Sequence, residues 1–402
     1  MGHEATRTGA PMMLLHLLGW IRAHVPHCEV HLLLLKGGDL EARYAEVVPV
    51  TTVWGSTLSN PTRLERLRHW LPPRRRRRRS SGRSAGRRRA RRVVRNGRWD
   101  LIYVNTIITR PIARALRRVS CPVVLHVHEM KYALESGPPR ELLARADRII
   151  VPSESTRTDL LDFDGTLASK VDLFYECIPV ATPAPADRDS TGAPAAELGA
   201  GEELVCAVGT VDWRKGADLF LQVVARVVAG SPGRPPRFVW IGEPPSGDFA
   251  RRIRYDIERL GLQDRVQFVG SVADVTPFYR RMDVLALTSR EDPCPLVAIE
   301  AALHEVPIAC FAGSGGVPEV FGEEAAVVAP YSDAAAMADQ ILALLADPGR
   351  RARMGRRGAE IVRKRHDVDV VAPRIWSTVE KLLHPVREST GSRPGAGGPE
   401  GA

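Results

Sequence analysis

The chain runs twice through the same alternation of short apolar, β-branched runs with helical stretches, and a segment of different composition separates the two series. In the first series Pro11 to Val25 reads as a helix and Glu29 to Leu35 as a strand. A turn region begins at Trp54, Arg63 to Leu71 reads as helical, and Leu101 to Val104, Val123 to Val127 and Arg148 to Val151 read as strands. The second series begins at Leu204 to Val208 and continues through Phe238 to Ile241, Val266 to Val269, Val284 to Leu287, Pro307 to Phe311 and Ala325 to Val328. Strands alternating with helices predict a parallel sheet with helices on both faces. At 402 residues the chain exceeds one hydrophobic core, so two such halves are expected. Facing doubly wound halves make a cleft at their strand ends, where open α/β sheets bind ligands.

The expected division is 1–180 for the first half, 181–203 for a linker rich in Ala, Pro, Gly, Asp and Ser, and 204–366 for the second half. A helix over 367–386, containing Trp376, Leu382 and Leu383, is expected to cross back to the first half, and 387–402 reads as a disordered tail. Composition is that of a soluble globular protein, 44% apolar and 26% charged. Met12 to Ile21 has no basic leader and is followed by Arg22 and His24, so it reads as a buried helix and not as a signal peptide. Six scattered cysteines with no C-x-x-C pair predict a reducing cytoplasm, without a zinc site or disulfide framework. The net charge of +10 is concentrated: Arg74 to Arg98 holds fourteen arginines and no acid, so the remainder is net acidic.

The most informative motif is Ser289 to Ala302, where an apolar strand passes through a Pro-rich turn into an Ala-rich helix. Asp292 and Glu300 lie eight residues apart around the helix start. Carboxylates suit sugar hydroxyls, and the free amides of the helix start, at Leu296 and Val297, suit a diphosphate. A site combining the two suits a nucleotide sugar. Upstream, Val208 to Gly216 leaves a strand carrying Arg214 and Lys215, cations able to neutralise a diphosphate. Downstream, Gly313-Ser314-Gly315-Gly316-Val317-Pro318-Glu319 is a Gly-rich loop, and His126-Val127-His128-Glu129 ends a strand of the first half.

The Asp292–Glu300 segment resembles the E-x7-E motif of the retaining glycosyltransferases of family 4, which have the two-domain GT-B fold. Asp292 stands at the first Glu of that motif and Glu300 at the second, and the resemblance extends over nearly the whole chain. It implies retaining transfer, without a metal or other cofactor, from a nucleotide-diphosphate sugar to a glycan, lipid-linked or small-molecule acceptor. It further implies that Lys215 contacts the donor diphosphate, with Arg214 a second charge where Thr210 replaces a common Arg. Glu300 would hold the ribose, Asp292 the sugar hydroxyls, and Gly315 and Gly316 would leave room for the donor while Glu319 fixes their loop. His128 would position the sugar from the opposite half, and Gly9 would belong to a Gly-rich turn near the diphosphate. The residues from Met1 to Pro11 resemble the loop after the family's first strand, and that strand is expected to be missing. A mis-set start is favoured, since losing a buried parallel strand would expose apolar surface. Glu305 stands where the family closes a helix with Gly, so a local change is expected there.

Two other functions compete with transfer. Asp162-Phe163-Asp164-Gly165-Thr166 matches the nucleophile motif of haloacid-dehalogenase-like phosphatases, but the residues before it read as helix and not as the strand that chemistry needs. A non-catalytic binding protein on the same fold is the other alternative. The arginine run fits a solvated loop or a peripheral anionic membrane surface. No aromatic residue interleaves its arginines, which argues against nucleic acid.

Overall fold

The computed structural model describes residues 1–56, 80–180 and 201–384; the expected helix at 63–71, most of the linker and the 387–402 tail lie outside the described residues. The first half contains α1 (Gly9–His24), β1 (Leu32–Lys36), α2 (Glu41–Val47), β2 (Val50–Trp54), α3 (Ser80–Asn96), β3 (Ile102–Asn105), β4 (Val123–His126), α4 (Lys131–Ser136), β5 (Arg148–Val151), α5 (Glu154–Phe163) and β6 (Val171–Leu173). Trp54 thus ends a strand and does not open a turn: Val50, Thr51, Thr52 and Trp54 are β-formers that pair in parallel with β1.

The centre of this half is where the first strand was expected to be missing. Met1 to His3 occupy that place, bonded on one side to β1 (Gly2 N to Leu33 O, 3.0 Å) and on the other to β3 (Asn105 N to Met1 O, 2.9 Å). Three residues are too few to join the flanks into one sheet. The half therefore contains a two-stranded sheet β1–β2 and a four-stranded sheet β3–β4–β5–β6, all parallel.

The second half is one parallel sheet built from β7 (Leu204–Val208), β8 (Arg237–Ile241), β9 (Val266–Gly270), β10 (Val284–Leu287), β11 (Ile308–Phe311) and β12 (Ala326–Ala329), in the order β12–β11–β10–β7–β8–β9. Its order reverses between β7 and β10, which places the switch point between the turn after β7 and the turn after β10. The helices that bear on the site are α6 (Ala217–Gly230), α7 (Leu296–Leu303), α8 (Val317–Ala325), α9 (Pro348–Arg365) and α10 (Val368–Leu383). Val371, Ala372, Ile375 and Val379 of α10 form one helical stripe, buried against Met13 and Leu17 of α1 and Val124 and Ile150 of the first sheet. The chain passes between the halves twice, side by side: Ile178 N donates to His366 O (3.0 Å) and Val368 N to Ile178 O (2.9 Å).

The arginine run is helical over Ser80–Asn96. In α3, Gly86, Ala90 and Val94 recur every four residues and are buried, while Arg88, Arg89, Arg92 and Arg95 are exposed. A side chain at position 86 would meet Val53, so the small residues let this helix lie close to β2. Among the described residues no helix is long and apolar enough to cross a membrane.

Just beyond α7, Glu305 has φ +61°, a left-handed conformation that costs a non-glycine residue about 1–2 kcal/mol. Glycine removes that cost but loses about 0.4–1 kcal/mol through its freer unfolded state. Glu305→Gly is therefore expected to stabilise the protein by about 0.5–1 kcal/mol in urea unfolding. An unchanged or lowered midpoint would show that the turn carries no strain.

Candidate active site

Three turns at the strand ends of the second sheet meet around one ion pair. The turn after β7 is shaped by its own polar groups: Thr210 Oγ1 donates to Asp212 Oδ2 (2.8 Å), and Lys215 N donates to Asp212 Oδ1 (2.7 Å). Gly216 follows with φ +71°, and a Cβ there would lie 1.9 Å from Thr288 O, so only glycine lets this turn close on β10. From it Lys215 Nζ reaches Asp292 Oδ2 at 2.6 Å, with both side chains almost fully buried. Ser289 Oγ donates to the same oxygen (3.0 Å), and Arg214, 3.9 Å from Asp292 Oδ1, donates to Glu291 O at 2.8 Å. Burial lowers the pKa of the Lys215 ammonium, and Asp292 opposes that shift. Arg290 locks the two turns together through a bidentate pair with Asp218 (2.9 and 2.8 Å), its guanidinium lying over the Trp213 ring.

The third turn needs glycine at 315 and 316 for close backbone approach. Gly315 has φ +140°, and a Cβ on it would lie 1.8 Å from Asp292 O; one on Gly316 would lie 2.4 Å from Pro293 O and 2.9 Å from Ser153 Cβ. The space a Cβ would take at these glycines is filled by the Asp292–Pro293 backbone and by Ser153 of the first half. The gain is a rigid seat for Asp292, whose N donates to Ser314 O at 2.7 Å. Glu319, expected to fix this loop, instead reaches the other half and accepts from Glu154 N (2.8 Å) and Ser155 N (3.2 Å) at the start of α5. Glu291 does the same for Tyr132 N of α4 (2.9 Å). These two carboxylates hold the halves together across the cleft. Removing the longer-reaching contact with Glu319→Ala is expected to raise the radius of gyration in small-angle scattering, and an unchanged curve would show that the contact plays no part in closure.

Leu296 and Val297 form the first turn of α7; Pro295 before them lacks an N–H, so the amides that turn offers begin at Leu296. Glu300, one turn on, is held by Tyr279, whose hydroxyl donates to Oε2 at 2.7 Å, and burial raises its pKa. Gly9 is not in a loop: it is the first residue of α1, with open space where a side chain would stand. The Asp162 string has no strand beneath it, because Asp162 and Phe163 close α5 and Asp164 caps the next turn through Thr166 N.

His128 lies two residues beyond β4, and both of its ring nitrogens are engaged. Nδ1 lies 2.7 Å from Glu176 Oε1 and Nε2 lies 2.9 Å from Asn105 Oδ1. Asn105 Nδ2 donates to Ala10 O (2.8 Å), which fixes its oxygen towards the ring. The His126 ring lies beside it, tilted by 36° with centroids 4.0 Å apart, and Tyr103 Oη lies 2.7 Å from its Nδ1. Burial, with the neighbouring His128 charge, pushes the His126 pKa well below the usual histidine range. Glu129 accepts from His128 N, Ile107 N and Thr106 Oγ1. Thr106, a β-branched residue at φ +88°, is a genuine backbone outlier at this spot. Among the described residues His126, His128 and Glu176 are the group whose ligand atoms come within 4.8 Å of one another. With both His128 nitrogens taken, they leave His126 Nε2 and Glu176 Oε2 unclaimed, two atoms where a metal site needs three or more. The six cysteines are unpaired.

Sequence reasoning therefore missed Asn105, Glu176, Ser289, Tyr279 and the cleft-spanning use of Glu291 and Glu319. Asn105 ends a strand, and the strand-end rule that selected His128 applies to it equally. Glu176, a lone acid in the segment between the halves, carried no local signal.

The family model described as Glycosyltransferase Family 4 matches residues 16–181, and that described as Glycosyl transferases group 1 matches 194–361. The chain is similar to the D-inositol 3-phosphate glycosyltransferase of Nocardia farcinica, 30% identical over 226 residues that make up 54% of this chain and 49% of that one. It is likewise similar to the lipopolysaccharide core biosynthesis mannosyltransferase LpcC of Rhizobium leguminosarum, at 29% identity over 60% of this chain and 66% of the other. The chain spans about half the length of the first curated relatives it matches. Among solved structures, that of Anabaena HepE in complex with UDP-glucose superposes with a TM-score of 0.74 at 19% identity, covering 95% of this chain and 100% of that one.

Proposed function

Since the chain belongs to the family 4 glycosyltransferases and has their GT-B fold, we propose that it moves a glycosyl group, with retention, from a nucleoside-diphosphate sugar to a glycan, lipid-linked or small-molecule acceptor. The carrying observation is the convergence of Lys215, Asp292 and the start of α7 on one wall of the cleft. Lys215, Arg214 and the amides from Leu296 on would take the diphosphate and stabilise its charge as the glycosidic bond breaks. Asp292, released from Lys215 as the phosphate arrives, is free to accept from sugar hydroxyls, and Glu300 faces the ribose with one oxygen pre-oriented by Tyr279. Retention follows from same-face attack, with the departing phosphate taking the acceptor proton. A metal is not required in this scheme, because Lys215 and Arg214 supply the positive charge.

The test is a thermal-shift screen of nucleotide sugars followed by a donor-hydrolysis assay. A ligand far above its dissociation constant stabilises by a few kcal/mol, here read as a raised midpoint. A nucleotide sugar that is both bound and slowly hydrolysed supports transfer. The buried Lys215–Asp292 pair favours a second reading, a binding protein on the same fold, since a donor must separate the pair to use it. Binding without turnover of any donor would select that reading.

The exposed face of α3 supports a further element, a peripheral position on the cytoplasmic face of an anionic membrane. Arg88, Arg89, Arg92 and Arg95 are all exposed, and each basic group near such a surface contributes about 1 kcal/mol. Flotation with phosphatidylglycerol vesicles is expected to carry the protein up at low salt and to fail after all four are changed to Glu. Equal flotation of the variant would sink the membrane assignment.

A further inference from the structure

Behind the donor-side turns, at the end of β4, lies a buried cluster in which both ring nitrogens of His128 face oxygens. As a carboxylate Glu176 accepts through Oε1, 2.7 Å from His128 Nδ1, and Asn105 Oδ1, with its amide nitrogen already given to Ala10 O, also accepts. A neutral imidazole has one N–H and can satisfy one acceptor; two acceptors on two ring nitrogens require both to be protonated. We infer that Glu176 is a positioning residue for the reaction: with Asn105 it holds His128 as an imidazolium in one fixed orientation at the cleft. The inference rests on the glycosyl-transfer reading only for what the ring then does.

Every group facing the ring is consistent with this charge. Burial works against it, but the charge and hydrogen bond of Glu176 together with the charge of Glu129 outweigh burial, so the His128 pKa lies above its ordinary value. His126, tilted against the ring, stays neutral, and Tyr103 behind it is pushed well above its usual range. From the second half the Cys294 thiol, itself pushed up by burial and by Glu176, hydrogen-bonds to the Glu176 backbone. His366 Nδ1 lies 2.8 Å from Glu176 O, and burial holds this histidine neutral, at about 4. One residue thus fixes the His128 ring by its side chain and touches the turn after β10 and the end of α9 by its backbone. The ring is held in place only while the two crossing segments are.

This arrangement changes what His128 can do. Both N–H groups are committed within the first half, so the ring cannot turn one towards a sugar hydroxyl. It offers instead a fixed positive charge near the cleft, suited to the oxygen that leaves with the diphosphate. The charge is present at pH below the raised pKa and is lost as pH rises through it, so activity should fall along a basic limb set by His128.

The test uses the full chain with ¹⁵N-labelled histidine, the His128 resonances being assigned by loss in His128→Gln. Glu176→Gln keeps the shape and removes the charge; it is expected to lower the His128 titration by about one pH unit or more. Asn105→Asp keeps the acceptor and adds charge, and is expected to raise it. Shifts of opposite sign cannot come from a loosened fold. In donor turnover the basic limb of kcat/KM should move to lower pH in Glu176→Gln and recover in Glu176→Asp. A ring titration that does not move in Glu176→Gln overturns the inference whatever the activity. A moved titration with an unmoved limb overturns the step from ring to reaction. A moved titration in a protein that turns over no nucleotide sugar establishes the hold of Glu176 on the ring and overturns the transfer reading instead.

Discussion

Lys215→Ala is expected to abolish most donor turnover, by roughly 10²–10³-fold in kcat, the usual cost of removing one group that stabilises developing charge. The same change is expected to cost about 3 kcal/mol of stability, because it leaves the nearly buried Asp292 without its cation. Ser289 still donates to Asp292 and Arg214 stays 3.9 Å away, which keeps the loss at the lower end for a broken buried pair. The two effects can be separated. Lys215→Ala combined with Asp292→Asn removes the stranded charge, so the urea midpoint should largely recover while turnover stays lost. If the single variant hydrolyses its donor at the parent rate, Lys215 has no part in the leaving-group site.

Gly315→Ala is the second large effect, and it acts through the backbone. The new methyl would sit 1.8 Å from Asp292 O in a conformation, φ +140°, that only glycine occupies easily. Either the Gly-rich turn or the Asp292 turn must move, breaking the bond from Asp292 N to Ser314 O. Strain and clash together should cost about 3 kcal/mol, or about 8 °C in the unfolding midpoint of a unit this size. Donor-induced thermal shift should vanish with it, since Asp292 loses its seat. Gly9→Ala is the contrasting change: position 9 opens a helix into free space, so that substitution should be neutral or slightly stabilising. A Gly315→Ala protein as stable as the parent would show that the two turns are not in contact.

The central strands β7, β10 and β11 of the second half were legible because each is a run of apolar residues buried on both faces, a pattern that needs no knowledge of its neighbours. The short edge strand β2 was not, since Val50 to Trp54 is only half covered and its pairing with β1 depends on residues distant in sequence. The arginine run hid a helix for a related reason: its core-facing stripe, Gly86, Ala90 and Val94, is carried by small residues that hydropathy barely registers. Spacing within one segment picked out Asp292 and Glu300, and the resemblance to the family added Lys215 and His128 from two other segments.

The sequence alone determined two parallel α/β halves, the membership of the donor-side turns, and the charge types each turn brings. What it could not determine is which of those charges meet. That Lys215 is spent on Asp292, that Glu319 caps a helix of the opposite half, and that Glu176 makes His128 doubly protonated all depend on contacts between segments 48 to 165 residues apart. Such contacts are set by how two halves pack and close, and a carboxylate has the same local sequence signature whether it faces water, a ligand or a buried histidine.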